Sequence, residues 1–211
     1  MNLLNPPNLL NPVIPRELCP GLSSIPNEVN DAGLLEAARR GNADAFSELF
    51  ARYQGPIFRY AAHMCGRDAG DDVVQETFLA VLRDPVRFDP QRGTIGGYLF
   101  GIARHHVFKR LRSRNDTDKL GDVLTTQPVV QSDALEHLSR TETVAAVREA
   151  IASLPVVYRE VVVLCELQEM SYVDAADVVQ CPVGTVRSRL HRAKALLMTK
   201  LATNPAAAIR D

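Results

Sequence analysis

From about residue 31 onward, apolar residues in this chain recur at intervals of three and four, and this spacing constrains the fold more than any other feature. Residues spaced in this way lie on one face of an α-helix. The pattern is clearest near the C-terminus, in Val186, Leu190, Ala193, Leu197 and Leu201. Nowhere do apolar and polar residues alternate as they would in a half-buried strand. The sequence therefore predicts an all-α protein.

Start and stop signals divide the N-terminal part of this region into helices. Asp31 and Asn42 can act as N-caps, and Gly41 can end the helix between them. Gly55-Pro56 predicts a break, because proline removes a backbone donor and clashes inside a helix. A third helix is then expected to run from this break to about Cys65.

Two longer amphipathic helices follow. The first spans Gly70 to Arg83, and its predicted buried face holds Val73, Val74, Thr77, Phe78, Val81 and Leu82. Its outer face carries Asp71, Asp72, Gln75 and Glu76. The second runs from about Thr94 to Arg114 and is predicted to bury Ile95, Leu99, Ile102, Ala103 and Val107. Its other face carries Arg104, His105, Phe108, Lys109 and Arg112.

Residues 115–138 show no apolar period and lean acidic, which predicts a flexible linker between two small helical domains, 31–114 and 139–203. Residues 1–30 are rich in Asn, Pro and Leu and predict a disordered tail, as do residues 204–211. The early leucines are interrupted by Asn and Pro, so neither a secretory signal nor a transmembrane helix is expected.

The second domain ends in a predicted helix-turn-helix. Ser171 and Asp174 have the spacing of a capping box that opens a short helix. Gln180 lies in the following turn, where positive φ would introduce strain. Pro182 then begins a longer basic helix. A short helix, a tight turn and a longer basic helix are typical of DNA-binding modules.

The formal net charge is only −1, but the charges are segregated along the chain. Two basic runs contain no acid, one between residues 104 and 114 and the other between residues 187 and 200. Acidic residues gather before the first of these runs and between the two, so that the basic elements are separated by acidic ones. Two separate contacts with a polyanion would explain this pattern, whereas the alternative is a pair of solvated helix faces.

Other functional classes find little support. Cys19, Cys65, Cys165 and Cys181 form no C-x-x-C pair, so neither disulfides nor a metal site are predicted, and a reducing cytoplasm fits best. The sequence lacks a carboxylate cluster at metal spacing and a Gly-rich phosphate loop, which argues against an enzyme. A structural helical adaptor would leave both basic helices unexplained.

Several motifs resemble the extracytoplasmic-function sigma factors of the sigma-70 family. The stretch from Cys181 to Lys194 (CPVGTVRSRLHRAK), preceded by Leu154-Pro155 and Met170-Ser171-Tyr172, is similar to that family's fourth domain. Asp72 to Phe78 (DVVQETF) resembles the polymerase-binding helix of its second domain. Ile102 to Arg112 resembles the promoter-melting helix. The matches cover about residues 31–201 in the family's order.

The resemblance implies a role for each surface and no cofactor or metal. It assigns the minus-thirty-five element to Thr185, Arg187, Ser188, Arg189, His191 and Arg192. It assigns minus-ten recognition and melting to Arg104, His105, Phe108, Lys109 and Arg112, with a base pocket near Asp89 to Thr94. Contact with the beta and beta-prime subunits of RNA polymerase core is assigned to Asp71, Asp72, Gln75 and Glu76. An anti-sigma factor is the further partner that the resemblance implies.

Alternatives remain at several positions. A free-standing, dimeric helix-turn-helix regulator would bind duplex DNA without polymerase. Arg189 is as well explained by a structural ion pair with an acid such as Glu160, and Phe108 by a place in the core. The chain departs from the family pattern at Gly97-Tyr98, where a Trp is common, and at Lys109, where an acid is common.

Overall fold

The computed structural model describes residues 31–83, 88, 89, 91, 93–118 and 138–203. Its helices are α1 (Asp31–Arg39), α2 (Ala43–Cys65), α3 (Gly70–Arg83), α4 (Ile95–Asp118), α5 (Leu138–Ala152), α6 (Val156–Val162), α7 (Tyr172–Val179) and α8 (Val183–Thr203). A short 3₁₀ turn, Arg67–Ala69, precedes α3, and a π-helical turn, Val163–Leu167, continues α6. No strand occurs among these residues, so the all-α prediction is confirmed.

Helices α1 to α4 form the N-terminal unit, in which α2 packs against α1, α3 and α4. The Asn42 side chain accepts a hydrogen bond from the Ala45 backbone at 3.0 Å, as its predicted cap role requires. Asp31 is fully buried, where it accepts a 2.6 Å hydrogen bond from the Tyr53 hydroxyl and pairs with Arg52. This buried acid ties α1 to α2.

The predicted helix break at Gly55-Pro56 is wrong, because α2 continues through both residues. Proline inside a helix costs about 3 kcal/mol, since it removes one backbone hydrogen bond and its ring crowds the preceding turn. Tyr53, Ile57 and Tyr60 surround this position and are each fully buried. Burying one large apolar side chain contributes about 1.5–3 kcal/mol, so the packing of this face offsets the cost of Pro56.

The core-facing residues of α3 and α4 follow the predicted stripes with a few differences. Leu82 was predicted to be buried and is 40% exposed, whereas the adjacent Val81 is buried. Phe100 was not predicted to be buried, yet it has no exposed surface and meets Tyr60 edge-on. Ile102 is only half-buried.

The C-terminal unit contains α5 to α8, with α8 packed against α5, α6 and α7. The Ser171 hydroxyl accepts a 3.1 Å hydrogen bond from the Asp174 backbone, which confirms the predicted cap. Gln180 ends α7 in the left-handed conformation at φ 57°. The predicted buried stripe of α8 is confirmed at Val186, Leu190, Ala193 and Leu197. Together α7 and α8 form the predicted helix-turn-helix.

The predicted linker is shorter than expected at its start. Helix α4 continues to Asp118, four residues into the segment assigned to the linker, and α5 begins at Leu138. Residues 119–137 and the tails predicted at 1–30 and 204–211 lie outside the described residues. Within the described part of the chain, no helix is long and apolar enough to cross a membrane.

The two units pack against each other, which the sequence did not predict. Helix α4 contacts α7, and α2 contacts α5 and α6. Buried residues of both units belong to one continuous apolar cluster. We call the zone where the units meet the seam, defined by Tyr60, Thr94, Arg104, Glu160 and Asp174.

Candidate nucleic-acid interface

One side of α4 presents exposed basic groups to solvent. His105, Lys109 and Arg112 are all exposed and lie at intervals of four and three, which places them on one helix face. The buried residues Leu99, Ala103 and Val107 anchor the opposite face in the core. This arrangement holds three basic side chains outward on a rigid element, and it can track a phosphate backbone.

Phe108 lies at the edge of this basic face rather than wholly in the core or wholly outside it. The ring is half-buried and packs against the core. The Arg104 guanidinium lies over the ring, with its central carbon 4.5 Å from the ring centroid. A cation held over an aromatic ring at this distance is an attractive arrangement. The exposed part of the Phe108 ring and the Arg104 guanidinium could stack against a base.

The predicted base pocket leads directly into α4. Asp89 accepts a 3.0 Å hydrogen bond from the backbone of Gln91, and Gly93 adopts φ 150°. The Thr94 hydroxyl accepts a 3.0 Å hydrogen bond from the backbone of Gly97 and so caps α4. Because Thr94 precedes the basic face by about three turns, it lies on the same side of the unit as that face. Pro90 and Arg92 of the predicted pocket lie outside the described residues.

The predicted minus-thirty-five residues divide by exposure along α8. Arg187, Ser188, His191 and Arg192 are exposed, whereas Thr185 and Arg189 are half-buried. Ser188 donates a 3.0 Å hydrogen bond to the Thr185 carbonyl. Buried Val186 and Leu190 fix the orientation of the helix. The exposed set lies in the first half of the recognition helix, where side chains of such a motif reach base edges.

Two basic residues of α8 have partners inside their own unit. Arg189 lies 4.0 Å from the Cys181 sulfur, and the ion pair with Glu160 considered for it does not form, because Glu160 binds residues of the N-terminal unit. The Lys194 ammonium lies 2.9 Å from Glu166. The ion pair with Glu166 indicates a structural role for Lys194.

Tyr172 is a candidate contact residue that the sequence analysis did not single out. It begins α7 and is 39% exposed, and the Arg187 guanidinium lies 5.9 Å from its ring centroid. In a helix-turn-helix, the first helix crosses the DNA backbone near the recognition helix. The sequence could have indicated this role, because Tyr172 directly follows the predicted cap Ser171 and so begins the first helix of the motif.

The acidic face of α3 is partly engaged by α4. Asp72 lies 3.5 Å and Glu76 3.2 Å from the Arg110 guanidinium, and Glu76 lies 3.1 Å from His106. Burial lowers the pKa of His106 despite the neighbouring carboxylate. Both acids remain substantially exposed, with side chains 61% and 42% accessible.

The rest of the outer face of α3 is also exposed. Asp71 and Gln75 are accessible alongside the two paired acids. Leu79 and Leu82 are 39% and 40% exposed further along the helix. The sequence analysis placed Leu82 on the buried face and assigned no role to Leu79. The face is therefore a mixed acidic and apolar surface of the kind that partners bind.

Buried polar groups connect the two units at the seam. The Glu160 carboxylate, 1% exposed, accepts a 2.7 Å hydrogen bond from Arg104 Nε and a 3.1 Å hydrogen bond from the Tyr60 hydroxyl. Burial, followed by the Glu160 charge, raises the pKa of Tyr60 well above its ordinary value. No local pattern identifies such contacts, because the partners are 56 and 100 residues apart in the sequence.

Arg159 reinforces the same region. Its guanidinium donates to the Met64 carbonyl of α2 at 3.2 Å, to the Leu154 carbonyl at 3.1 Å and to the Ala152 carbonyl. Neighbouring His63 is largely buried, and burial together with Arg148, Arg159 and Arg59 lowers its pKa to about 4. His63 is therefore neutral at pH 7. In the described residues, no group of His, Cys, Asp and Glu has the arrangement of a metal site.

Family models match both units. The model described as Sigma-70 region 2 matches residues 49–117, and the model described as Sigma-70, region 4 matches residues 145–197. The probable RNA polymerase sigma-C factor of Mycobacterium bovis is 34% identical over 168 residues, which cover 78% of this chain and 88% of the relative. The ECF RNA polymerase sigma-E factor of Haemophilus influenzae is 31% identical over 186 residues, covering 82% and 96%.

Two solved structures with a similar fold are complexes with a second protein. CnrH in complex with the cytosolic domain of CnrY superposes with a TM-score of 0.62 at 28% identity, covering 83% of this chain and 99% of the matched one. The sigma factor RpoE of Bartonella quintana, in complex with the anti-sigma factor NepR, gives a TM-score of 0.61 at 22% identity, covering 75% and 98%. At 22% identity, the match to RpoE shows only that the fold is similar.

Proposed function

The chain belongs to the ECF RNA polymerase sigma factors of the sigma-70 family, and we propose that its two units divide promoter binding between α4 and α8. A sigma factor directs core polymerase to promoters and initiates transcription. The main support for this division of promoter binding is that each unit has an exposed basic helix face. In each case a buried apolar stripe on the opposite side of the helix fixes the orientation of that face.

Helix α4 is proposed to hold the unpaired minus-ten strand. Single-stranded DNA binding combines a basic track with aromatic stacking platforms. The basic track would be supplied by His105, Lys109 and Arg112. The stacking surface would be supplied by Phe108 together with Arg104, because the ring of Phe108 is only half-buried. The loop from Asp89 to Thr94 would receive a flipped base, since it leads into the N-terminus of the same helix.

Helix α8 is proposed to read the minus-thirty-five element in the major groove. Arg187, Ser188, His191 and Arg192 are the exposed candidates for base-edge contacts, and arginine is well suited to bidentate contact with guanine. Thr185 and Arg189 are half-buried and closer to the turn. They would contribute backbone contacts, which fix the register of the helix without reading sequence.

The outer face of α3 is proposed to bind the beta and beta-prime subunits of core polymerase. Asp71, Asp72, Gln75 and Glu76 would supply charge and hydrogen bonds, and the two exposed leucines would supply apolar area. Acids on a rim affect association rate and orientation, whereas buried apolar contacts contribute to affinity. The face needs both kinds of residue to make a specific contact.

A protein with these partners acts in the cytoplasm, where polymerase and the chromosome are found, and it assists catalysis by polymerase without performing it. An anti-sigma factor is a further proposed partner. CnrH, which matches this chain at 28% identity, was solved with the cytosolic domain of CnrY. A second protein bound around the two units would control access to both basic faces.

Run-off transcription tests the proposed function directly. Bacterial core polymerase would be incubated with genomic fragments with and without the full chain, and discrete chain-dependent transcripts are expected. The chain alone should bind the same duplexes weakly. Specific duplex binding without polymerase, and no chain-dependent transcript, would instead support a free-standing helix-turn-helix regulator.

Lysine and arginine substitutions would then assign the two faces. Arg192→Ala should reduce selection among minus-thirty-five sequences on duplex promoters. Lys109→Ala should impair opening of duplex promoters while leaving selection of the upstream element unchanged. The opposite pattern, in which Arg192 affects only opening, would contradict the proposed division.

A further inference from the structure

Three arginines and a histidine come together where α2, α5 and α6 meet. Arg59 and His63 lie four residues apart on α2 and therefore share a helix face. Arg148 belongs to α5 and Arg159 to α6, and the charges of all three arginines act on the His63 ring. We call these four residues the arginine cluster. Positive charges from both units are thus concentrated at one place.

The arginine cluster has no counter-ion within the described part of the chain. Neither Arg59, Arg148 nor Arg159 pairs with an acid there, and Arg159 donates to the uncharged carbonyls of Met64 and Leu154. Burial lowers the pKa of both Arg59 and Arg159, yet a guanidinium stays charged in a folded protein. Neighbouring like charges that are partly removed from water repel each other and are costly.

Donor groups of the same cluster are also left without acceptors. Nε and Nη2 of Arg59 and Nε of Arg159 are buried and have no hydrogen-bond partner among the described residues. Nε and Nη2 form one edge of the planar guanidinium, whose two parallel N–H groups fit two oxygens of one anion. Buried polar groups are nearly always satisfied, so orphaned donors indicate a bound water or ion. The charge of the cluster favours an anion.

We propose that the arginine cluster is a binding site for a phosphate group, either of the free anion or of a small phosphate monoester. The edge of Arg59 would hold two phosphate oxygens and Nε of Arg159 a third, while the exposed Arg148 would close over the anion from the solvent side. A phosphate monoester offers three terminal oxygens and a charge of about −1.5 to −2 at pH 7. It therefore matches these donors and charges better than a carboxylate, which has two oxygens and a single charge.

His63 reports whether the site is occupied. The charged groups that face its ring are Arg59 on its own helix, Arg148 on α5 and Arg159 on α6, and with burial they lower its pKa to about 4. A phosphate bound among them would place negative charge beside the ring and favour the protonated form. Phosphate should therefore raise the pKa of His63, measured by NMR titration of its ring protons. An unchanged pKa at saturating phosphate would place the anion elsewhere and overturn the proposal.

Isothermal titration calorimetry of the full chain at pH 7 tests the site, with sodium phosphate as the probe and sodium chloride holding the ionic strength constant. A single phosphate is expected to bind with a dissociation constant on the order of 0.1–1 mM, because several charge-assisted hydrogen bonds form. A second titration with adenosine monophosphate distinguishes the two sources. Binding of the nucleotide assigns the site to monoesters, whereas binding of phosphate alone assigns it to the free anion. No binding of either at about 10 mM would overturn the proposal.

Substitutions of Arg59 locate the bound anion. Arg59→Gln removes the bidentate edge and should weaken phosphate binding at least about tenfold. Arg59→Lys keeps the charge without the edge and should weaken binding about threefold.

Arg40→Gln is the matched control, because Arg40 is a 70% exposed arginine of α1 that pairs with Glu36. It should leave phosphate affinity within about twofold of the wild type. Equal weakening in Arg40→Gln and Arg59→Gln would attribute binding to net charge and overturn the site. Binding of single-stranded DNA, but of neither anion, that is lost in Arg59→Gln would make the cluster a contact for the DNA backbone, and the proposal would be wrong.

Urea unfolding separates a binding role of Arg59 from a structural one. Without phosphate, Arg59→Gln should unfold at the same urea concentration as the wild type or at a higher one, because it removes a partly buried cation that has no counter-ion. With saturating phosphate, the wild type should be the more stable, because a ligand stabilises the chain that binds it. An equal loss of stability in Arg59→Gln with and without phosphate would make Arg59 a structural residue and overturn the site.

Discussion

Reversing the charge of Asp72 and Glu76 to Lys should abolish binding to core polymerase while leaving the chain folded. Both acids contact Arg110 across α3 and α4, at 3.5 and 3.2 Å. Because the two carboxylates are largely exposed, each contact contributes about 0.2–1 kcal/mol, and reversal adds a repulsion of similar size. The double variant should therefore lose about 1–4 kcal/mol of folding free energy, which a stability of about 5–15 kcal/mol tolerates.

The expected effect on core binding is larger than the effect on folding. Losing one partner of a close charge pair at an interface costs about 2–5 kcal/mol, so affinity for core should fall by at least about 30-fold. Binding would be measured by titrating labelled chain with core polymerase, and folding by circular dichroism and urea unfolding. Wild-type affinity in the double variant would remove these acids from the interface.

A compensating substitution distinguishes a lost interface from a damaged fold. Adding Arg110→Glu to the double variant restores opposite charges across α3 and α4, so the folding free energy should return to within about 0.5 kcal/mol of the wild type. Core binding should remain lost, because the outer face still carries the wrong charge. Recovery of core binding in the triple variant would show that the acids act only through Arg110.

Three further outcomes are expected. Arg187→Ala should cost about 1–3 kcal/mol at one base of the upstream element and relax preference there, measured by competition among promoter variants in the holoenzyme. Replacing Lys109 and Arg112 together by Ala should reduce the salt slope of open-complex formation by about one to two, whereas Phe108→Ala should slow opening at every ionic strength, measured by permanganate footprinting. His63 has a pKa lowered to about 4, so the wild type should lose about 2–3 kcal/mol of folding free energy as pH falls from 7 to 4, and His63→Gln should lose less.

Each of these outcomes has a contradicting result. Equal weakening on all upstream sequences would make Arg187 a phosphate contact. Normal opening by Phe108→Ala, or its unfolding, would return that residue to the core. For His63 the sign follows from the neutral form being favoured in the folded state, so that protonation below pH 6.5 favours unfolding. If His63→Gln and the wild type lost the same folding free energy between pH 7 and pH 4, His63 would not be the cause of the loss.

Patterns local to the sequence predicted most of the helices and the orientation of their faces. The stripe from Val186 to Leu197 fixes which side of α8 is buried, so the exposure of Arg187 and Arg192 followed from spacing alone. Caps at Asn42 and Ser171 were predictable because a capping side chain bonds to a backbone group only three residues away. The roles of these surfaces came from resemblance and remain predictions.

Only the tertiary structure decided the contacts between distant parts of the chain. Pro56 remains inside α2, where Tyr53, Ile57 and Tyr60 are buried. Their burial depends on the other helices that pack against α2, which no local sequence pattern specifies. Leu82 is exposed whereas the adjacent Val81 lies in the core, and this difference depends on which side of α3 its neighbours cover. Likewise Glu160, an ordinary acid in the sequence, becomes a buried partner of Arg104 and Tyr60. Helical periodicity assigns a face to each residue, but the element that covers that face is set by packing over the whole chain.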